Sequence, residues 1–159
     1  MKHFNFEQTL PIAIEEAWAF FCTPKNLNLL TPPDIHFKIL NNVPDKMYRG
    51  MMIVYEIKFF LNIKFKWVTE ITVVDTDNFY FVDEQRKGPY RIWHHEHHFT
   101  KSDNGVLMTD RLYYDVGKSF LGWFASKFFV DKKVRAIFDY RRRRLEELFE
   151  KNSFSLHGI

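Results

Sequence analysis

Residues 91–116 read RIWHHEHHFTKSDNGVLMTDRLYYDV, and the interpretation of this stretch decides the fold. Ser102-Asp103-Asn104-Gly105 is a turn signal, because Asn and Asp tolerate left-handed backbone and Gly adopts it freely. On either side apolar and polar residues alternate, as they do in a strand with two distinct faces. Pairing Ser102 with Gly105 sets Phe99 opposite Met108, His97 opposite Asp110, His95 opposite Leu112 and Trp93 opposite Tyr114. That face is the more apolar and is expected to point inward. His94, Glu96 and His98 then share the outer face with Tyr113, Arg111 and Thr109, where Glu96 can pair with Arg111. A bulge at Gly105 would shift the individual pairs.

The same reading extends outward. Residues 3–10 alternate, with Phe4, Phe6 and Leu10 on one side, until Pro11 ends the strand. Ala17, Trp18, Phe21 and Cys22 fall at helical spacing, and Thr23-Pro24 should divide residues 14–30 into two short helices. Strands follow at 35–40, 51–60, 63–74, 78–85, 90–100 and 106–116, separated by short turn signals that favour antiparallel neighbours. Met51, Ile53, Tyr55, Ile57 and Phe59 share one face, and Phe65, Trp67, Thr69 and Ile71 another. For these two sets to face the same way, the link at Leu61-Asn62 needs an odd loop or a bulge. Over residues 121–151, Phe124, Phe128, Val134, Ile137, Phe138, Leu145, Leu148 and Phe149 fall largely at helical spacing. The pattern predicts an α+β domain over residues 1–151, a curved antiparallel sheet covered by a long last helix, with residues 152–159 as a flexible tail.

Composition narrows the function classes. The chain has 159 residues, enough for one domain that buries a core without disulfides or a structural metal. Cys22 is its single cysteine, which suits a reducing, cytoplasmic setting. No run of about 18 apolar residues occurs, so no integral membrane association is expected. A net charge of +3, from 23 basic and 20 acidic residues, is too balanced to point to nucleic acid. Aromatic residues make up 18% of the chain and must line either the core or a cavity.

Several stretches resemble one superfamily: Glu15-Glu16-Ala17-Trp18, Thr31-Pro32-Pro33, Trp67, Gln85-x-x-Gly88-Pro89-Tyr90-x-x-Trp93-x-His95-x-His97-x-Phe99, Asp110-x-Leu112-x-Tyr114, and Ile137-Phe138-x-Tyr140-Arg141 with Leu145. Together they look like the bacterial ligand-binding branch of the helix-grip superfamily, which includes START domains, polyketide cyclases and birch-pollen-allergen-like proteins. The resemblance implies a seven-stranded antiparallel sheet gripping the C-terminal helix, two short helices between the first two strands, and a hydrophobic cavity between sheet and helix. Similar sequences run into a Pro and Gly turn after Tyr114, whereas this chain has Asp115-Val116-Gly117-Lys118-Ser119-Phe120-Leu121-Gly122. Without the proline that connection is expected to be looser.

The expected ligand is a small, mostly hydrophobic molecule, lipid- or polyketide-like. Tyr55, Phe65, Trp67, Trp93, Phe99, Tyr114 and Phe138 would supply apolar contact, and His95, His97, Asp110 and Arg141 would orient a polar group. The alternative is a cyclase, dehydratase or isomerase in which His97 and Asp110 move a proton and Tyr114 or Tyr55 holds a carbonyl oxygen. No nucleophile accompanies them, since Cys22 falls on an apolar helical stripe where thiols are inert. His95, His97 and Asp110 could also hold a metal, but a carboxylate that fixes an imidazole tautomer explains the same residues, and no metal or other cofactor is expected. The outer set of His94, Glu96 and His98 is unshielded. Arg141–Arg144, with Lys132, Lys133 and Arg135, form a basic helix surface that could meet a protein or a membrane. Ion pairs from Arg142 and Arg143 to Glu146 and Glu147 account for most of that run. The sequence sets no oligomeric state.

Overall fold

Strands β6 (Ile92–Ser102) and β7 (Gly105–Asp115) form the hairpin around Asp103-Asn104, in unbroken register from Ile92 opposite Asp115 to Ser102 opposite Gly105. His95, His97 and Phe99 are buried on one face with Asp110, Leu112 and Tyr114, while the alternate residues reach the outer surface. Gly105 turns with φ +118°, and a side chain there would collide with the Leu10 carbonyl, so the hairpin and the end of the first strand approach as only glycine permits.

The computed structural model describes residues 1–60, 63–117 and 127–153. Around the hairpin lie β1 (Lys2–Leu10), α1 (Ile14–Phe21), 3₁₀ segments Pro24–Leu30 and Pro33–Ile35, β2 (Lys38–Ile39), β3 (Met52–Phe60), β4 (Ile63–Asp75), β5 (Tyr80–Lys87) and the helix α2 (Lys127–Ser153). The strands make one antiparallel sheet in the order β1-β7-β6-β5-β4-β3-β2. Ile53, Tyr55 and Ile57 stand opposite Thr69, Trp67 and Phe65, with the register shift this requires between Lys58 and Phe60. Two more irregularities interrupt β4 against β5, between Val68 and Thr69 and between Ile71 and Val73. Bulges of this kind bend a sheet and re-aim side chains.

Helix α2 presents Val130, Val134, Phe138, Arg141, Leu145 and Phe149 to the sheet, all buried and spaced three or four residues apart. Phe138 stacks on Phe6 with ring centroids 3.9 Å apart, and Arg142 donates to the Glu7 carbonyl at 2.7 Å, so the helix is fastened along β1. Trp18, Phe21, Leu145 and Phe149 close one end of the core against β6 and β7. No helix among the described residues is long and apolar enough to cross a membrane.

The structure alters several local expectations. The second short helix is a 3₁₀ segment, Pro24–Leu30, and a further 3₁₀ segment follows it at Pro33–Ile35; each has a proline in its first turn, where the missing amide proton is not needed. The strand expected at 35–40 shrinks to two residues because the second 3₁₀ segment occupies Ile35 and His36 turns left-handed. β6 begins two residues later than the alternation suggests, since Gln85 reaches across the β5–β6 loop to the backbone of Tyr90 and lengthens the turn. β5 begins two residues later because the Asp75 carboxylate holds Asp77 and Asn78 in a turn and Phe79 follows with φ +50°. Among the described residues α2 starts at Lys127 and runs through Asn152 and Ser153; the rest of the expected tail, the Leu61-Asn62 link, residues 118–122 after Gly117, and the side chains of Phe59, Phe124 and Phe128 lie outside them. The expected Arg142 and Arg143 pairs are replaced by the Arg142 bond to β1 and an Arg144–Glu147 pair at 2.7 Å.

Candidate functional site

A cavity of about 190 Å³ lies between the inner face of the sheet and α2, with α1 and the first 3₁₀ segment closing one side. Its wall is mostly apolar: Ile53, Tyr55 and Ile57 from β3, Trp67 and Ile71 from β4, Trp93 from β6, and Val134, Ile137 and Phe138 from α2. Trp67 and Trp93 meet edge to face at 5.3 Å, and Tyr55 lies nearly parallel to Trp67 at 5.9 Å, giving one continuous aromatic surface. The Thr69 hydroxyl serves this wall from within, sharing a hydrogen bond of 2.8 Å with Tyr55 and accepting one of 3.0 Å from Trp67 Nε1.

Set into this wall is a polar, charged patch, with Trp93 and Phe138 lying 6.4 and 5.5 Å from His95, ring centroid to ring centroid. His97 donates from Nε2 to Asp83 Oδ2 at 2.9 Å, and the same carboxylate oxygen is 3.4 Å from His95 Nδ1. The far nitrogens of both rings turn toward Asp110: His97 Nδ1 lies 2.7 Å and His95 Nε2 3.2 Å from its Oδ1, with Arg141 at 3.4 Å from that oxygen. Asp83, His95, His97 and Arg141 line the cavity; Asp110, only 1% exposed, stands behind the imidazoles. These contacts to Asp110 bring charge close without hydrogen-bonding geometry, and neither of its oxygens has a hydrogen-bond partner among the described residues. Buried carboxylates in that condition are stabilised chiefly by neighbouring positive charge.

Each ionisation follows from this crowding. Burial opposes the charged forms of Asp83, Asp110 and His95. For Asp110 the charges of Arg141 and His97, with His95, outweigh burial and hold the carboxyl well below the usual range. His95 and His97 do the same for Asp83. Burial also works against the His95 cation, but Asp110 and Asp83 prevail and raise its pKa to about 9. Away from this cluster, burial pushes the Cys22 thiol up to about 12, which leaves it an unreactive core group at neutral pH.

The expected contact residues divide. Tyr55, Trp67, Trp93, His95, His97, Phe138 and Arg141 line the cavity. Phe65, Phe99, Asp110 and Tyr114 do not. Phe65 packs at the edge of the cluster around Trp67, and Phe99 is committed to the core with Trp18 and Phe21. Tyr114 donates its hydroxyl to Asp131 at 2.5 Å, so it is not placed to hold a carbonyl oxygen in the cavity. The sequence-based reading missed Asp83, which stands opposite His95, as Phe81 stands opposite His97. A tight Gly88-Pro89 turn would set Lys87 against Tyr90 and Asp83 against His94, on the outer face; the register actually adopted is one residue longer and turns Asp83 inward. The signal was Gln85, whose side chain ties off the longer loop and whose contact Gly88 alone leaves room for.

By sequence the chain matches no family model and no curated protein. By fold it is similar to many solved structures. The aromatase/cyclase Zhui from Streptomyces sp. R1128 superposes with a TM-score of 0.72 at 11% identity, covering 99% of each chain. A START superfamily protein from Mycobacterium smegmatis gives 0.70 at 10% identity, over 94% of this chain and 97% of that one. The major latex-like protein 151 of Panax ginseng gives 0.67 at 12% identity, over 93% and 97%. These likenesses, with the strand order and the enclosed C-terminal helix, show the helix-grip fold.

Proposed function

We propose that this protein binds a small, mostly apolar molecule bearing one polar group in the cavity between sheet and α2. The observation that carries the reading is the lining of the cavity, a mostly aromatic wall into which one charged His-Asp-Arg cluster is set. Tyr55, Trp67, Trp93 and Phe138 supply apolar contact, at about 25 cal/mol per Å² removed from water. His95, His97 and Arg141 orient the polar end, and Asp110 supports them from behind. The volume adds a constraint. A cavity of about 190 Å³ exceeds the ~150 Å³ that admits benzene yet falls below the ~300 Å³ at which drug-sized sites begin. The occupant is accordingly on the scale of one ring or a short acyl chain rather than a fused polyketide. The reducing cytoplasm suits a chain whose single cysteine is a buried thiol.

A second reading rests on His97, which lines the cavity and gives its Nε2–H to Asp83: an N–H so placed can instead hydrogen-bond and polarise the oxygen of a bound carbonyl compound. Native mass spectrometry of protein purified without added ligand, and quenching of Trp67 and Trp93 fluorescence by a panel of single-ring aromatic and short-acyl acids and ketones, test the binding reading. A co-purifying molecule, or saturable quenching by at least one compound, is expected. Absence of both overturns it. Turnover of a bound compound that is lost in His97→Gln while binding persists would favour the enzyme.

A further inference from the structure

The metal possibility raised by the sequence joined His95 and His97 to Asp110. The structure gives the imidazoles a different carboxylate on the cavity side. Asp83, His95 and His97 each offer one ligand atom within 4.8 Å of the others, and Asp83 Oδ2 lies 2.9 Å from His97 Nε2 and 3.4 Å from His95 Nδ1. Ligand atoms at ~2.1 Å from one cation are separated by about 3.0 Å in octahedral and 3.4 Å in tetrahedral geometry. The 2.9 Å spacing is near the octahedral edge and the 3.4 Å spacing equals the tetrahedral one, so the Asp83 oxygen is within one coordination edge of each nitrogen. Two nitrogens and one carboxylate oxygen on one side of a cation, with the remaining positions open, form a donor set that takes divalent zinc or iron.

A second observation points the same way. Each imidazole has a carboxylate on both sides, and the far nitrogens converge on one oxygen of Asp110. Asp110 is 1% exposed, and neither of its oxygens, nor His95 Nε2, has a hydrogen-bond partner among the described residues. A cation held by His97 Nε2 and His95 Nδ1 would fix the tautomer of both rings and leave both remaining N–H groups on the Asp110 side, the one on His97 Nδ1 displacing the Arg141 Nη2 donor that now stands 3.4 Å from it. Metal-bound imidazoles are commonly oriented by an outer carboxylate in this way.

We propose that Asp83, His95 and His97 bind one divalent first-row transition-metal cation, with Asp110 orienting both imidazoles from behind and the open coordination positions facing the cavity. The inference shares the cavity of the binding reading, where the metal would take the polar group of the occupant. It is tested without any organic ligand, so its failure leaves that reading standing. Untagged full-length protein is stripped with a chelator, desalted, and titrated with Zn²⁺ by calorimetry and with Co²⁺ by visible absorption. One equivalent is expected to bind, with Co²⁺ bands of a site poorer in ligands than hexaaqua cobalt. Asp83→Ala and His97→Ala should abolish binding, Asp110→Asn should weaken it by about 10–100-fold, and the outer-face double variant His94→Ala/His98→Ala should leave it unchanged. X-ray absorption of the zinc-loaded unsubstituted protein, independent of whether any variant folds, should count two imidazoles. Failure of the unsubstituted protein to bind, an imidazole count other than two, or binding that survives Asp83→Ala but is lost in the outer-face variant overturns the proposal.

Discussion

β6 carries the same chemistry on both faces and puts it to opposite ends. His95 and His97 are each 6% exposed, enclosed by Asp83, Asp110 and Arg141, whereas His94 and His98 on the other face are part-exposed and share Glu96 at 3.2 and 2.8 Å. Glu84 adds a third contact on that outer side, 2.7 Å from His94, and Arg111 stands farther from Glu96 at 3.8 Å. Residue type therefore decides little here. Alternation separates neighbours in sequence into two environments, one where water screens every charge and one where each charge needs a named partner.

The sharpest break between the faces should come from deleting one carboxylate on the inside. Asp110→Ala leaves Arg141 and the imidazoles without their counter-charge and is expected to cost about 3–5 kcal/mol in urea unfolding. A loss below ~1 kcal/mol would put the inner cluster in the same class as the outer one. Next in size is the pH dependence of chelator-treated protein. The folded-state pKa of His95 is raised above its ordinary 6.5, so its contribution is complete below that value and is lost as pH rises through about 9. Asp83 and Asp110 are depressed, so theirs is complete above about 3.8 and is lost as pH falls below it. Thermal unfolding should therefore show its highest midpoints between those limits, and His95→Gln should flatten the alkaline limb. Diethyl pyrocarbonate, read by peptide mass spectrometry, should modify His94 and His98 in the folded protein and spare His95 and His97. The smallest effect belongs to Glu96→Ala, at about 0–1 kcal/mol in the same urea measurement.

The legible and illegible parts of the molecule divide along the same physical line. The β6–β7 hairpin could be read to the residue because its turn is short and its alternation clean, and the β3–β4 face could be read once the register shift beside Lys58 was required by pattern alone. Arg141 could be placed on the inward stripe of α2 from spacing. β5 could not be read. Phe81 and Val82 are both buried, which erases the alternation, and its pairing depends on a loop closed by a side-chain contact from Gln85. Asp83 was invisible for that reason, and with it the carboxylate on the cavity side of the imidazoles. Phe21 and Leu30 reach the cavity through the packing of α1 and the first 3₁₀ segment on the sheet, information that no local period carries.

The seam between β1 and its partners sets a timetable for synthesis. β1 pairs with β7, from Lys2 opposite Tyr114 to Leu10 opposite Val106, and the Gln8 side chain bonds to the Arg142 carbonyl, 134 residues further on. At ~5–20 residues per second, a ribosome needs about 7–27 s to make that intervening length. Until residue 114 is made, Phe4 and Phe6 have neither Tyr114 nor Phe138 to cover them. The first strand made is thus among the last to be sheltered, and pulse-labelled hydrogen exchange would register its amides as late to gain protection.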